Sequence, residues 1–73
     1  MTHTYTRRDL VWIVVSHMES DEEFQVRHIS ELIDANYPDR TVSDNTIRAV
    51  LRTMVDSDLL RRTDGGKWFV RNF

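Results

Sequence analysis

Cysteine is absent from the 73 residues. With it go disulfides, cysteine zinc sites and thiol nucleophiles, so packing alone must hold the chain together. Proline occurs once, at Pro38, and glycine twice, side by side at Gly65 and Gly66. No helical pattern follows that glycine pair, which therefore reads as a turn rather than a phosphate-binding loop. Long apolar runs are missing too: the longest, Leu10 to Val15, has six residues, far below the roughly 20 that a membrane-spanning helix needs. No basic stretch precedes a signal-like apolar segment. These absences lead to the expectation of an intracellular, cytoplasmic domain without a membrane role. A chain this short makes one core, burying only about 60% of the surface its unfolded form exposes, and leaves little room for a catalytic cleft between layers.

The residues that could carry chemistry are badly placed for it. His3, His17 and His28 show no ligand spacing such as i, i+4 with a carboxylate between. Ser16 and His17 are sequence neighbours about 100° apart on a helix, which is not a nucleophile and its base. The acidic run Glu19 to Glu23 lacks the spacing and the glycine of a calcium loop and reads as a solvated connector. The expectation is no catalytic residue, no metal, no cofactor and no small-molecule ligand.

Charge is unevenly divided. The net value is −2, which disfavours indiscriminate binding to nucleic acid. Residues 1–39 hold three arginines against eight carboxylates, net −5, whereas residues 40–73 hold seven basic side chains against four, net +3. Nine of the ten basic residues are arginine, with Lys67 the exception. Arginine's planar fork suits phosphate and guanine, although a GC-rich genome or a salt-adapted proteome would produce the same bias.

Three helices and a hairpin are legible along the chain. After an aperiodic lead-in, Met1 to Tyr5, Thr6 and Asp9 form a variant capping box at the start of helix one, about 6–18. Leu10, Val11, Val14, Val15 and Met18 make its apolar stripe. Phe24, Gln25 and Val26 alternate as a short strand at most. Helix two, about 26–36, turns Ile29, Leu32 and Ile33 inward and Arg27, Ser30, Glu31 and Asp34 outward, and ends before Pro38. Helix three, about 43–56, is capped by Ser43 and carries Ile47, Val50, Leu51, Met54 and Val55 on one face. Asp58 stands where a left-handed residue usually ends a helix. A hairpin over about 59–71 closes around Asp64-Gly65-Gly66. If Lys67 and Arg71 point outward, strand period puts Trp68 and Val70 inward and Phe69 and Phe73 outside.

This order resembles a winged helix-turn-helix domain: α+β, mostly helical, a three-helix bundle with a C-terminal hairpin wing, in one domain over residues 1–73. The stretch from Val42 through Ser43, Thr46, Ile47, Val50 and Leu51 to Val55, with Leu59-Leu60 after it, looks like the recognition helix and wing entry of small prokaryotic and archaeal transcription regulators. Asp58 and Met54 stand where that pattern has glycine and leucine. The resemblance implies a cytoplasmic, sequence-specific regulator of transcription that binds duplex DNA, with helix three in the major groove. Arg48 and Arg52, four apart on one face, would fork onto guanine, and Asn45 would read adenine. Arg40, Ser43 and Thr46 would contact phosphates, and Arg61, Arg62, Lys67 and Arg71 would charge the wing. Asp44 runs against this unless it caps its own helix or accepts from a cytosine amine.

Helix one adds an expectation of its own. Trp12 falls opposite the apolar stripe with Ile13 at its flank, which points to a homodimer through helix one. Packing of Trp12 under the N-terminal segment, near Tyr5 or Phe73, is the competing arrangement. The rival function is a winged-helix protein-interaction module that does not bind DNA, with Trp12, Ile13 and Phe69 as its contact surface.

Overall fold

A computed structural model describes residues 5–73. Most of the expected lead-in, including His3, lies outside the described residues. Helix α1 spans Arg7–Ser16. Its start is fixed by two reciprocal bonds: the Asp9 N–H donates to Thr6 Oγ1 at 3.1 Å, and the Thr6 N–H donates to Asp9 Oδ2 at 3.0 Å. Two first-turn donors are thereby satisfied, and the Asp9 charge sits at the positive end of the helix. The expected boundary at Met18 is too late. His17 and Met18 donate to the carbonyls three residues back, Val14 and Val15, which tightens the last turn and ends the helix while keeping Met18 against the core.

The acidic connector leads to strand β1, Glu23–Phe24. Val26 opens the next helix rather than extending the strand. Helix α2 covers Val26–Asn36 and α3 covers Asp44–Asp56. Between them Arg40 donates its N–H to the Tyr37 carbonyl, and Arg7 reaches across from α1 to the Thr41 carbonyl at 3.0 Å. The start of α3 is held by Ser43, whose hydroxyl accepts from the Thr46 N–H at 3.2 Å. Its end is a complete left-handed cap. The Asp58 N–H donates to the Val55 carbonyl and the Leu59 N–H to the Met54 carbonyl, with Asp58 at φ 62°. A Cβ is disfavoured there. Asp58→Gly is accordingly expected to raise stability by about 0.5–1 kcal/mol, measured by urea unfolding.

Strands β2, Leu60–Thr63, and β3, Trp68–Arg71, are joined by a 3-10 turn over Asp64–Gly66. Asp64, Gly65 and Gly66 all have positive φ, a run that the adjacent glycines make affordable. The sheet is antiparallel in the order β1-β3-β2, so β3 lies at its centre.

That central position overturns the expected phase of the hairpin. Phe69 is buried, 7% exposed, and stacks on Phe24, its register partner, with ring centroids 6.0 Å apart. Trp68 is half-buried and lies against the His28 ring. Lys67 belongs to the turn, with helical φ and ψ, so it cannot set a strand's phase. Arg71 shares a face with Phe69, but its long stem carries the charge out to the Ser16 carbonyl at 2.6 Å and over the Phe73 ring. Val70, on the other face, is also buried, as a central strand allows.

The core joins Leu10, Val11, Val14 and Val15 of α1, Ile29 and Ile33 of α2, and Ile47, Val50, Leu51 and Met54 of α3, with Phe24, Leu60 and Phe69 closing it from the sheet. Among the described residues no polar or charged side chain is buried, and no helix is long and apolar enough to cross a membrane.

Candidate nucleic-acid interface

The apolar stripe of α3 faces the core, so its other face is left to water. Asn45, Arg48, Ala49 and Arg52 are all exposed, and the spacing of 45, 48 and 52 puts them on one side of the helix, rising about 1.5 Å per residue. The first turn of α2 and the hairpin flank that side. Arg27, Arg48, Arg52, Arg62 and Lys67 line a single cleft of about 500 Å³. Among the described residues no carboxylate lines it. Gln25 and Val26 bring in the start of α2, whose backbone dipole adds positive potential. Phe69 forms part of the lining, with the Arg62 guanidinium 5.5 Å from its ring centre. A cation over an aromatic face is steadied in orientation while it keeps donors free.

Five cations on a cleft whose described lining holds no carboxylate, in a protein of net charge −2, make a concave, positive surface suited to a polyanion. Of the ten residues expected at such a surface, Arg48, Arg52, Arg62 and Lys67 are in the cleft. Asn45 continues the exposed face of α3 towards its N-terminus. Ser43 and Thr46 are at that N-terminus with their hydroxyls 3.0 Å apart, one of them accepting from backbone. Arg40 is half-buried in the turn before them.

Arg61 and Arg71 do not line the cleft. Strand alternation turns Arg61 to the other face of β2 from Arg62, where its Nε donates to Asn72 Oδ1 at 2.7 Å. Asn72 in turn donates to the Asp58 carbonyl at 3.1 Å. Arg71 closes the C-terminus of α1, as described above. Both hold the chain end in place.

Arg27 is the residue that sequence reasoning placed only on a solvated face. Its position depends on β1 pairing with β3, which draws the start of α2 alongside the hairpin. The spacing of residues within helix two carries no trace of that pairing.

Trp12 is 38% exposed and Phe73 47%. Ser16, one turn beyond Trp12 on the same face of α1, is tied through its carbonyl to Arg71, which lies over Phe73. Ile13, about 100° further round α1, lines a second groove, between α1 and α2.

Fold and site together define a small α+β domain with three helices, a three-stranded antiparallel sheet and a cationic cleft between α3, the start of α2 and the hairpin. No protein-family model, curated protein or solved structure matches the chain.

Proposed function

We propose that this domain is a winged helix-turn-helix that binds duplex DNA and acts as a transcription regulator, with α3 as recognition helix in the major groove and the hairpin as wing. One observation carries the reading: Arg27, Arg48, Arg52, Arg62 and Lys67 converge on a cleft whose described lining has no carboxylate. In this arrangement Asn45, Arg48 and Arg52 face base edges, as the outer side of a groove-bound helix does. Arg27, Arg62 and Lys67 neutralise flanking phosphates, and Arg40, Ser43 and Thr46 meet the backbone where α3 enters the groove. Asp44 sits in the first turn of α3, where its charge favours the helix dipole.

The test is fluorescence anisotropy of labelled mixed-sequence duplex DNA, titrated with the protein at several salt concentrations. Each phosphate neutralised contributes about 0.9 to the fall of log affinity with log salt, so three to five contacts give a slope of roughly −3 to −5. A folded protein that shows no salt-dependent binding at low ionic strength would exclude this function.

The exposed rings of Trp12 and Phe73 support a homodimer built on α1, since large exposed apolar side chains gain by mutual burial. Two copies would also present two recognition helices to two half-sites. Trp12→Glu is expected to shift the protein to monomer in sedimentation equilibrium and to lower DNA affinity at least about tenfold through lost bivalency. An unchanged sedimentation profile would remove α1 as the dimer element.

A further inference from the structure

The second groove has a chemistry opposite to the first. It is larger, about 870 Å³, and runs between α1 and α2, closed at one end by β1. Ile13, Met18, Leu32 and Tyr37 make an apolar bed, of which Ile13, Leu32 and Tyr37 are only half-buried. Along its margin stand the exposed carboxylates Glu22, Glu23 and Glu31. Among the described residues no lysine or arginine lines it. Glu23 is engaged with the Thr63 hydroxyl at 3.0 Å and Glu22 with the Glu19 N–H at 3.4 Å, so both carboxylates are held in place on the rim. The run from Glu19 to Glu23 thus ends as one lip of an apolar groove, with Glu31 of α2 completing the acidic margin.

We infer that this groove is a docking site for a partner protein's basic amphipathic helix, with apolar anchors seated between α1 and α2 and flanking lysines or arginines paired with Glu22, Glu23 and Glu31. The charge of the rim chooses this occupant. An apolar trough between two helices receives a third by packing of side-chain ridges into grooves, and an acidic margin admits a basic helix while repelling an acidic one. The groove and the cationic cleft share no lining residue, so the inference stands whether or not the cleft binds DNA.

The probe is a fluorescein-labelled synthetic peptide of about 18 residues, long enough to hold a helix once bound, with leucines at helical spacing on one face and lysines beside them. A shuffled peptide of identical composition has no leucine stripe. Anisotropy with the full chain is expected to show the amphipathic peptide binding at least about tenfold more tightly than the shuffled one. The exposed-site double variant Glu22→Lys/Glu31→Lys is expected to weaken that binding by about tenfold. Amide shifts in two-dimensional NMR should cluster on residues 13–18 and 28–37 and spare Arg48 and Arg52. Equal binding of the shuffled peptide, or shifts centred elsewhere, would overturn the proposal. So would self-association abolished by the double variant but kept by Trp12→Glu, because the occupant would then be a second copy of this chain.

Discussion

On mixed-sequence duplex DNA, where no preferred base is in place and Arg48 and Arg52 rest on phosphates instead, Arg48→Ala/Arg52→Ala lowers affinity by roughly 10- to 100-fold at low salt and makes the salt slope shallower by about two. The two side chains are exposed and one helical turn apart in the cationic cleft, so removing them takes away two of its five charges together. Stability should stay within about 0.5 kcal/mol, because exposed arginine to alanine on a helix leaves no cavity and does not harm propensity. The neighbours Arg61 and Arg62 supply an internal control. Arg62 lines the cleft, whereas Arg61 is turned to the other face and bonded to Asn72. Arg62→Ala should therefore weaken DNA binding by roughly three- to tenfold, and Arg61→Ala by less than about twofold, with its own cost appearing in stability. Equal losses for these two would mean that binding tracks bulk charge rather than the cleft, and the reading of α3 as a recognition helix would fall.

Phe24→Ala is the substitution expected to damage the fold most. Phe24 is fully buried, stacks on Phe69 and is half of a two-residue strand. Truncating a buried phenylalanine costs about 3–5 kcal/mol. A domain of this length has a total stability of roughly 4–11 kcal/mol, so the variant loses much or all of it. The damage is also topological: β1 meets β3 through two register pairs, Glu23 with Val70 and Phe24 with Phe69. Without Phe24 the start of α2 is no longer held beside the hairpin, and both grooves lose a wall. Urea unfolding followed by circular dichroism should show a collapse of the midpoint. A midpoint shifted by the equivalent of less than about 1.5 kcal/mol would show that the sheet is held by the hairpin alone and that β1 is dispensable.

How far the sequence discloses this molecule depends on how local each contact is. The capping of α1 by Thr6 and Asp9 spans three residues, as does that of α3 by Ser43, and the left-handed exit at Asp58 is one residue's conformation. All can be read directly from the residues concerned. The face of α3 that carries Arg48 and Arg52 follows from the apolar period of its other side. The phase of β3 is different, because it depends on which residue of β1 lies opposite Phe69. That pairing joins positions 24 and 69, well over half the chain apart, and no local period encodes it. Lys67 misleads for the same reason: it has a strand residue's composition beside it but a turn's backbone. Arg27 in the cleft, and Glu31 beside Glu22 on the other groove, are likewise products of non-local packing. Arg61 and Arg71 have the composition of wing charges, and only the fold of the C-terminal residues shows them bonded to Asn72 and to the Ser16 carbonyl.

The core described above buries only hydrocarbon, thioether and aromatic side chains among the described residues, which gives the protein two opposite responses to ionic conditions. Strongly hydrated salts such as sulfate strengthen the withdrawal of apolar surface from water, and among the described residues there is no buried ion pair whose screening would offset the gain. The same ions shield the arginines of α3 and the hairpin from any polyanion. Concentrated sulfate therefore makes the domain harder to unfold while silencing its charged surface, and a buffer chosen for the longest shelf life is the wrong one in which to look for a partner.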